Sequence, residues 1–315
     1  MELTPEILDR LPRLEEKYAV MGQDMLSYLD GLLHADYLTY WDYIHLDTLL
    51  SLQTPRTPLP DEQIFILYHQ ITELYFKLSL LALQPVTEAP PSADLLKRQL
   101  QRLNQYFEQL VHSFDIMVNG MDKEEFLKFR MSLLPASGFQ SAQYREIEIW
   151  STDLYRLVHA SRRTEAGPET PVATLYPWLY WKWGATELAT GRKTLTLRQF
   201  ERKYGRHFLE LAERARDRNL WRRYQQLDAA ARADEVLIEL LKTYDFNANV
   251  RWRLSHLRAA ARYLDRRPQV IEATGGTNWQ QYLPPHRQRI VFFPDLWAPG
   301  ELDAWGKKPA YDRRG

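Results

Sequence analysis

Residues 61–84 read DEQIFILYHQITELYFKLSLLALQ, and no other stretch constrains the fold so strongly. Apolar side chains fall on nearly every face of a 3.6-residue repeat, which predicts a helix buried along most of its length. Pro60 precedes the segment and Pro85 follows it. The residue before a proline is biased out of the helical region, so the expected ends are 61 and 84. His69 sits mid-helix, with Phe65 one turn before it and Glu73 one turn after.

The remaining chain is also patterned for helices. Thr4-Pro5-Glu6 is a helix start with proline at the first helical position, and 5–31 is amphipathic. A second helix is expected over 35–52, before the proline-rich linker Thr54 to Pro60. Another runs from Ser92 or Asp94 to about Asn119. A further start lies at Asp122, where Glu125 three residues on suggests a capping box. Helices at about 196–218, 219–243 and 246–266 complete the body. The segment Tyr176-Pro-Trp-Leu-Tyr-Trp-Lys-Trp183 could be a binding platform, but such clusters more often pack helices or subunits together. Strand signals are almost absent, and no linker forces a split. The expected class is all-α: a multi-helix bundle forming a single domain over 1–315, with helical insertions and an aromatic-rich insertion at 164–195.

Charge and composition remove whole classes of function. The chain carries 41 basic and 41 acidic residues, a formal net charge of zero that argues against a nucleic-acid partner. The basic runs Arg214 to Arg223 and Arg251 to Arg267 are interrupted by apolar residues at helical spacing, which predicts solvated helix faces. Cysteine is absent. That excludes disulfides, iron–sulfur clusters, zinc thiolate sites, a catalytic thiol, thiolate-ligated heme and covalent heme attachment through cysteine. The charged start MELTPEILDRLPRLEEKY has no apolar core, and no stretch reaches the ~20 apolar residues of a membrane span. A soluble, cytoplasmic protein without a membrane partner is expected.

Several residues stand out as candidates for chemistry. Phe126-Leu-Lys-Phe-Arg130 runs into the corner Pro135-Ala-Ser-Gly138. A guanidinium at such a corner, flanked by Phe126, Phe129 and Leu134, suits two-pronged capture of a carboxylate, and equally fits a helix-ending arginine at an ordinary turn. A lone histidine such as His69 on an apolar helix is more often a core residue than a ligand. The order along the chain adds weight: His69, then Arg130 with Ser137-Gly138, then Trp252-Arg-Leu-Ser-His256, then Ala273-Thr-Gly-Gly276. Together with LTYWDYIHLDTLLSLQ (38–53), FILYHQITELYFKL (65–78) and FRMSLLPASGFQSAQYR (129–145), this resembles the tryptophan 2,3-dioxygenase family of heme enzymes. The matching blocks cover most of 36–160 and 245–295.

The resemblance implies an all-α fold with a buried pocket for heme b. It implies His256 as the proximal iron ligand, with Trp252, Ser137 and Gly138 also at the cofactor. It implies His69 as the distal histidine facing the indole nitrogen, Phe65 and Tyr68 as walls of the indole pocket, and Arg130 as the grip on the substrate carboxylate. Phe126 falls where some members have tyrosine. Thr274 matches the residue whose hydroxyl meets the amino-acid end of the substrate. Tyr40, Tyr43 and Ile44 match residues lent to a neighbouring subunit's site by N-terminal helices within 1–60, which implies a homotetramer of paired subunits. The implied reaction inserts O2 across the indole C2–C3 bond of L-tryptophan to give N-formyl-L-kynurenine, in tryptophan catabolism by the kynurenine pathway. The loop Ala273-Thr-Gly-Gly-Thr-Asn-Trp279 looks closer to the indoleamine 2,3-dioxygenases. Two other readings stay open: a relative acting on a substituted indole or tyrosine, and a non-catalytic helical heme-binding or interaction protein.

Overall fold

The computed structural model describes residues 4–20, 22, 24–34, 39–133, 138–183, 185–186, 192–263 and 284–307. Ser137 and Thr274 lie outside them. The fold is all-α: among the described residues extended pairing is limited to the isolated bridges Val158–Leu179 and Thr186–Lys193.

Contacts divide the chain into two compact units, Met1–Thr54 and Pro55–Gly315. The first contains α1 (Pro5–Ala19), α2 (Met25–His34), α3 (Tyr40–Tyr43) and α4 (Leu46–Leu50). The helix expected over 5–31 is therefore two helices, and Gly22 between them has φ +71°. Tyr18 stacks on Tyr28 at 3.8 Å, tying α1 to α2. The single helix expected over 35–52 is also broken, because His45 adopts a left-handed φ of +52° between α3 and α4. No residue of these four helices is buried.

The second unit is built around α5 (Pro60–Glu88), which packs against α6 (Ala93–Ser113) and α9 (Ala142–Ser151). Between α6 and α9 come α7 (Asp115–Asn119) and α8 (Lys123–Phe129). Short α10 (Val172–Leu175) and α11 (Tyr180–Trp183) follow, then α12 (Leu195–Ala215), which packs on α9. The helix expected over 219–243 is three: α13 (Leu220–Gln225), α14 (Ala229–Arg232) and α15 (Glu235–Phe246). A π-helical turn over Asn247–Arg251 links α15 directly to α16 (Trp252–Tyr263). Side-chain caps explain the starts: Ser92, Ser141, Thr194, Asn219, Asp228 and Asp234 each accept a hydrogen bond from a first-turn N–H.

Two expectations for α5 change. It runs through Pro85 to Glu88, because a proline removes one intrahelical N–H while packing on α6 and α13 holds the rest. Nor is it buried along most of its length: Tyr68, Phe76, Leu83 and Val86 face the core, whereas Ile71, Leu74, Leu78 and Leu81 form an exposed stripe. At the start of α5 the Glu62 carboxylate accepts from the N–H groups of Arg56 at 2.8 Å and Thr57 at 2.7 Å, folding the proline-rich linker onto the helix. Asp122 caps α8 by accepting from Glu124 and Glu125 N–H, but the expected capping box is not closed by Glu125. Its carboxylate accepts instead from Asp61 N–H at 3.3 Å, and Asp122 N–H donates to Asp61, so the starts of α5 and α8 are joined.

The aromatic segment 176–183 is mainly core, with Tyr176, Tyr180 and Trp181 buried. The C-terminal segment is tied down by one buried carboxylate. Asp245 accepts from the N–H of Phe292 at 2.9 Å and Phe293 at 3.0 Å, Trp297 Nε1 at 3.1 Å and Asn249 Nδ2 at 2.8 Å. Burial pushes its pKa up to about 6 against these four donors, which leaves mostly carboxylate at pH 7. Asp245→Ala strips the acceptor from all four. At ~1–3 kcal/mol per orphaned buried donor, partly relieved by water, we expect a loss of roughly 3–5 kcal/mol. Differential scanning calorimetry should register a drop of about 5 °C or more. An unchanged transition would mean that the donors find other acceptors.

Candidate active site

The helices converge on a cluster that contains most of the sequence-derived candidates in the second unit. His69, on α5, lies 4.1 Å from the Phe65 ring and 6.0 Å from the Tyr68 ring. Tyr68 meets Phe114 edge-on at 5.5 Å, and Phe114 in turn lies 4.6 Å from His256. Trp252, one turn before His256 on α16, stands edge-on to its ring at 4.5 Å and to Phe114 at 5.2 Å. The two histidines are thus linked by ring contacts through Tyr68 of α5 and Phe114 at the junction of α6 and α7. A third group closes one end: Phe126 and Phe129 of α8 lie 6.2 Å and 5.9 Å from Phe65, and Tyr263 of α16 lies 4.7 Å from Phe126.

The hydrogen bonds of the two imidazoles determine their chemistry. His69 Nδ1 is 2.7 Å from the Phe65 carbonyl oxygen, and His256 Nδ1 is 3.2 Å from that of Trp252. A carbonyl only accepts, so each Nδ1 carries the proton and donates it. Desolvation lowers the pKa of both rings, that of His256 to about 4, with the backbone acceptor opposing the shift in each. At neutral pH both are neutral, with the Nε2 lone pair free to accept a proton donor or bind a metal. His69 is exposed at the surface of α5.

Arg130 follows α8 as the first residue of a 3-10 turn, Arg130–Leu133, rather than sitting in the last helical turn as expected. Its N–H donates to Phe126 O, and its side chain is half-buried. Contact between α5 and α8 sets that turn beside the helix of His69. Gly138 begins the 3-10 turn Gly138–Gln140. Tyr40 and Tyr43 are exposed on α3 of the first unit, with Ile44 half-buried at its end. Phe114, Phe76 and Tyr263 belong to the cluster but were missed by sequence reasoning. Phe76 stands edge-on to Trp252 at 5.9 Å, and Tyr263 donates to Met121 O at 3.2 Å. The only sequence signal for Phe114 is its place at the junction of α6 and α7.

The donor set suits heme. Among the described residues no group of three or more His, Asp or Glu side chains could hold a bare metal ion. A porphyrin supplies the equatorial ligands and asks only for an axial one. A neutral histidine whose other ring nitrogen is held by a carbonyl is the usual form of such a ligand. His256 meets that description, and Trp252 and Phe114 give it apolar walls.

Comparison with known proteins gives the family of the chain. A family model described as tryptophan 2,3-dioxygenase matches residues 31–158. A protein named tryptophan 2,3-dioxygenase from a Ruegeria species is 32% identical, over 84% of this chain and 92% of its own length. This chain belongs to the tryptophan 2,3-dioxygenase family. Proteins of the same name from a Polaromonas species and from Pseudomonas aeruginosa are 31% and 30% identical, each over 82% of this chain and over 86% and 88% of their own lengths. Among the described residues no helix is long and apolar enough to cross a membrane.

Proposed function

We propose that this chain is a cytoplasmic, heme-dependent tryptophan 2,3-dioxygenase that converts L-tryptophan and O2 to N-formyl-L-kynurenine in tryptophan catabolism by the kynurenine pathway. The observation that carries the reading is the pair of neutral imidazoles on facing helices, each with Nδ1 tied to its own helix and Nε2 free. Its setting is a chain of this family.

In this reading His256 would hold heme b through Nε2, and Trp252, Ser137 and Gly138 would contact the cofactor. Bound heme supplies dioxygen activation, which no protein side chain can perform. The chain's own residues hold the substrate against it. Indole has a single N–H donor, and His69 Nε2 accepts it. The Phe65 and Tyr68 rings wall the indole and Phe126 closes its far side, contacts that exclude water. Arg130 takes the carboxylate with two parallel N–H donors, and the Thr274 hydroxyl meets the amino-acid end. His69 needs no proton abstraction in this scheme; it orients the ring. Reduced, heme-loaded protein given L-tryptophan in air should form N-formyl-L-kynurenine, read by absorbance and mass spectrometry. Turnover of a substituted indole or tyrosine instead would redirect the substrate assignment.

We also infer a homotetramer of paired subunits, with Tyr40, Tyr43 and Ile44 lent to a neighbour's site. The support is exposed apolar surface that a lone chain leaves in water: the Ile71, Leu74, Leu78 and Leu81 stripe on α5, and Leu26, Leu32 and Leu33 on α2. If Arg130 of one subunit and Tyr43 of its neighbour serve one site, mixed oligomers of Arg130→Ala and Tyr43→Ala subunits contain some sites with neither change. Activity should therefore rise above that of either variant alone. No rescue, or a fully active monomer, would rule out shared sites.

A further inference from the structure

The run Arg251 to Arg267, expected to be a solvated face, contains one buried arginine, Arg253. Arg253 is 8% exposed, and with Arg145 and Glu148 of α9 it forms a buried ionic cluster around the Tyr180 hydroxyl. Arg145 Nη1 lies 2.8 Å from Glu148 Oε2, and Arg253 Nη2 lies 3.4 Å from Glu148 Oε1. Both guanidiniums donate to Tyr180 OH, at 2.8 Å from Arg145 and 2.7 Å from Arg253, and that hydroxyl donates to Glu148. Arg253 also lies over the Tyr180 ring at 4.9 Å. Among the described residues two cations face one carboxylate, so the cluster they form holds one positive charge in excess. Arg163 adds to that side, since its pKa is lowered by burial first and then by the charges of Arg289 and Arg253.

Burying an unmatched charge is costly unless something uses its field. Simple helix docking could be done by apolar residues without that cost. The position of the cluster suggests the use. Arg253 precedes His256 by three residues on α16, about one helical turn, and side chains at that spacing are neighbours. That spacing sets the charge of Arg253 beside the His256 imidazole. In an interior that screens poorly, such a charge also acts on a metal held by that imidazole.

We propose that the Arg253–Glu148–Arg145–Tyr180 cluster is an electrostatic tuning element: its excess positive charge, one turn from the proximal His256, biases bound heme iron toward the ferrous state. A nearby cation favours the form with one more electron, and the ferrous form is the one that binds dioxygen. Tyr180 thereby gives the aromatic segment 176–183 a role besides packing. This inference rests on the heme reading above.

The test is the midpoint potential of full-length, heme-loaded protein, measured by spectroelectrochemical titration. Arg253→Gln leaves Arg145 and Glu148 as a neutral pair. At a fixed ambient potential the ferric-to-ferrous ratio should rise on the order of tenfold, which a one-electron couple registers as a midpoint about 59 mV lower. Arg253→Lys keeps the charge and should leave the midpoint near that of the parent. Arg145→Gln leaves Arg253 and Glu148 as a neutral pair and should also lower it. This second variant decides the matter if Arg253→Gln does not fold. Equal shifts for the Gln and Lys variants, or none, would overturn the proposal. So would failure of both Gln variants to fold, which would give the cluster a purely structural role. A parent that takes up no heme overturns the cofactor reading and this inference together. A heme-loaded parent whose variants are blind to charge overturns this inference alone.

Discussion

His256→Ala is expected to remove the heme absorption band and reduce dioxygenase activity to background while the protein stays folded. No cysteine exists to replace the lost ligand, and the other histidine of the cluster, His69, lies on a different helix, α5. Truncating this half-buried ring costs on the order of 1–3 kcal/mol of stability, which a chain with so large a core tolerates. The space left between Trp252 and Phe114 is imidazole-shaped, so added imidazole should restore part of the heme band. Circular dichroism and a Soret titration, with and without imidazole, check both halves of the claim. Undiminished heme binding by the variant would move the ligand to another residue and remove the basis of the proposed site.

The all-α class was legible because hydrophobic period is a local property, repeated from α5 to α16. The helix ends were less so. α5 passes through Pro85 because its neighbours hold it, and the helix expected over 35–52 breaks at His45 for no reason visible in the residue type. The stripe Ile71, Leu74, Leu78 and Leu81 was read as core because sequence reports how apolar a face is, not what covers it.

The sequence marked several of the residues that the fold brings together. His69 and His256 both border one aromatic cluster, and Phe65, Tyr68, Phe126 and Trp252 belong to it. Phe114 was not legible, since an apolar residue at a helix junction looks the same wherever it points. The Arg253 cluster was read wrongly, because its partners Arg145, Glu148 and Tyr180 are distant in sequence and a charge run looks solvated until they are known. The π-helical turn over Asn247–Arg251 was also hidden. It inserts extra backbone just before Trp252, and within it the Asn249 side-chain amide donates to Asp245.

Arg130→Lys is expected to lower kcat/KM for L-tryptophan by roughly one to two orders of magnitude. A planar guanidinium makes two parallel hydrogen bonds to a carboxylate, whereas lysine offers a point charge from a different position. Each charge-assisted bond contributes ~1.5–3 kcal/mol, and ~1.4 kcal/mol corresponds to a factor of ten, so losing one accounts for the expected range. The turn holding Arg130 is fixed by its backbone bond to Phe126 and by the buried Phe129, so the substitution should leave the backbone where it is. Tryptamine, which lacks the carboxylate, separates recognition from structure. It should be a poor substrate for the parent and lose little more in the variant, because the deleted contact was never made. The four rate constants form a double-mutant cycle between Arg130 and the carboxylate. A coupling of more than about 1 kcal/mol places the guanidinium on the substrate. Equal losses for both substrates would make Arg130 a structural residue at a helix corner, and carboxylate recognition would then belong to another cation.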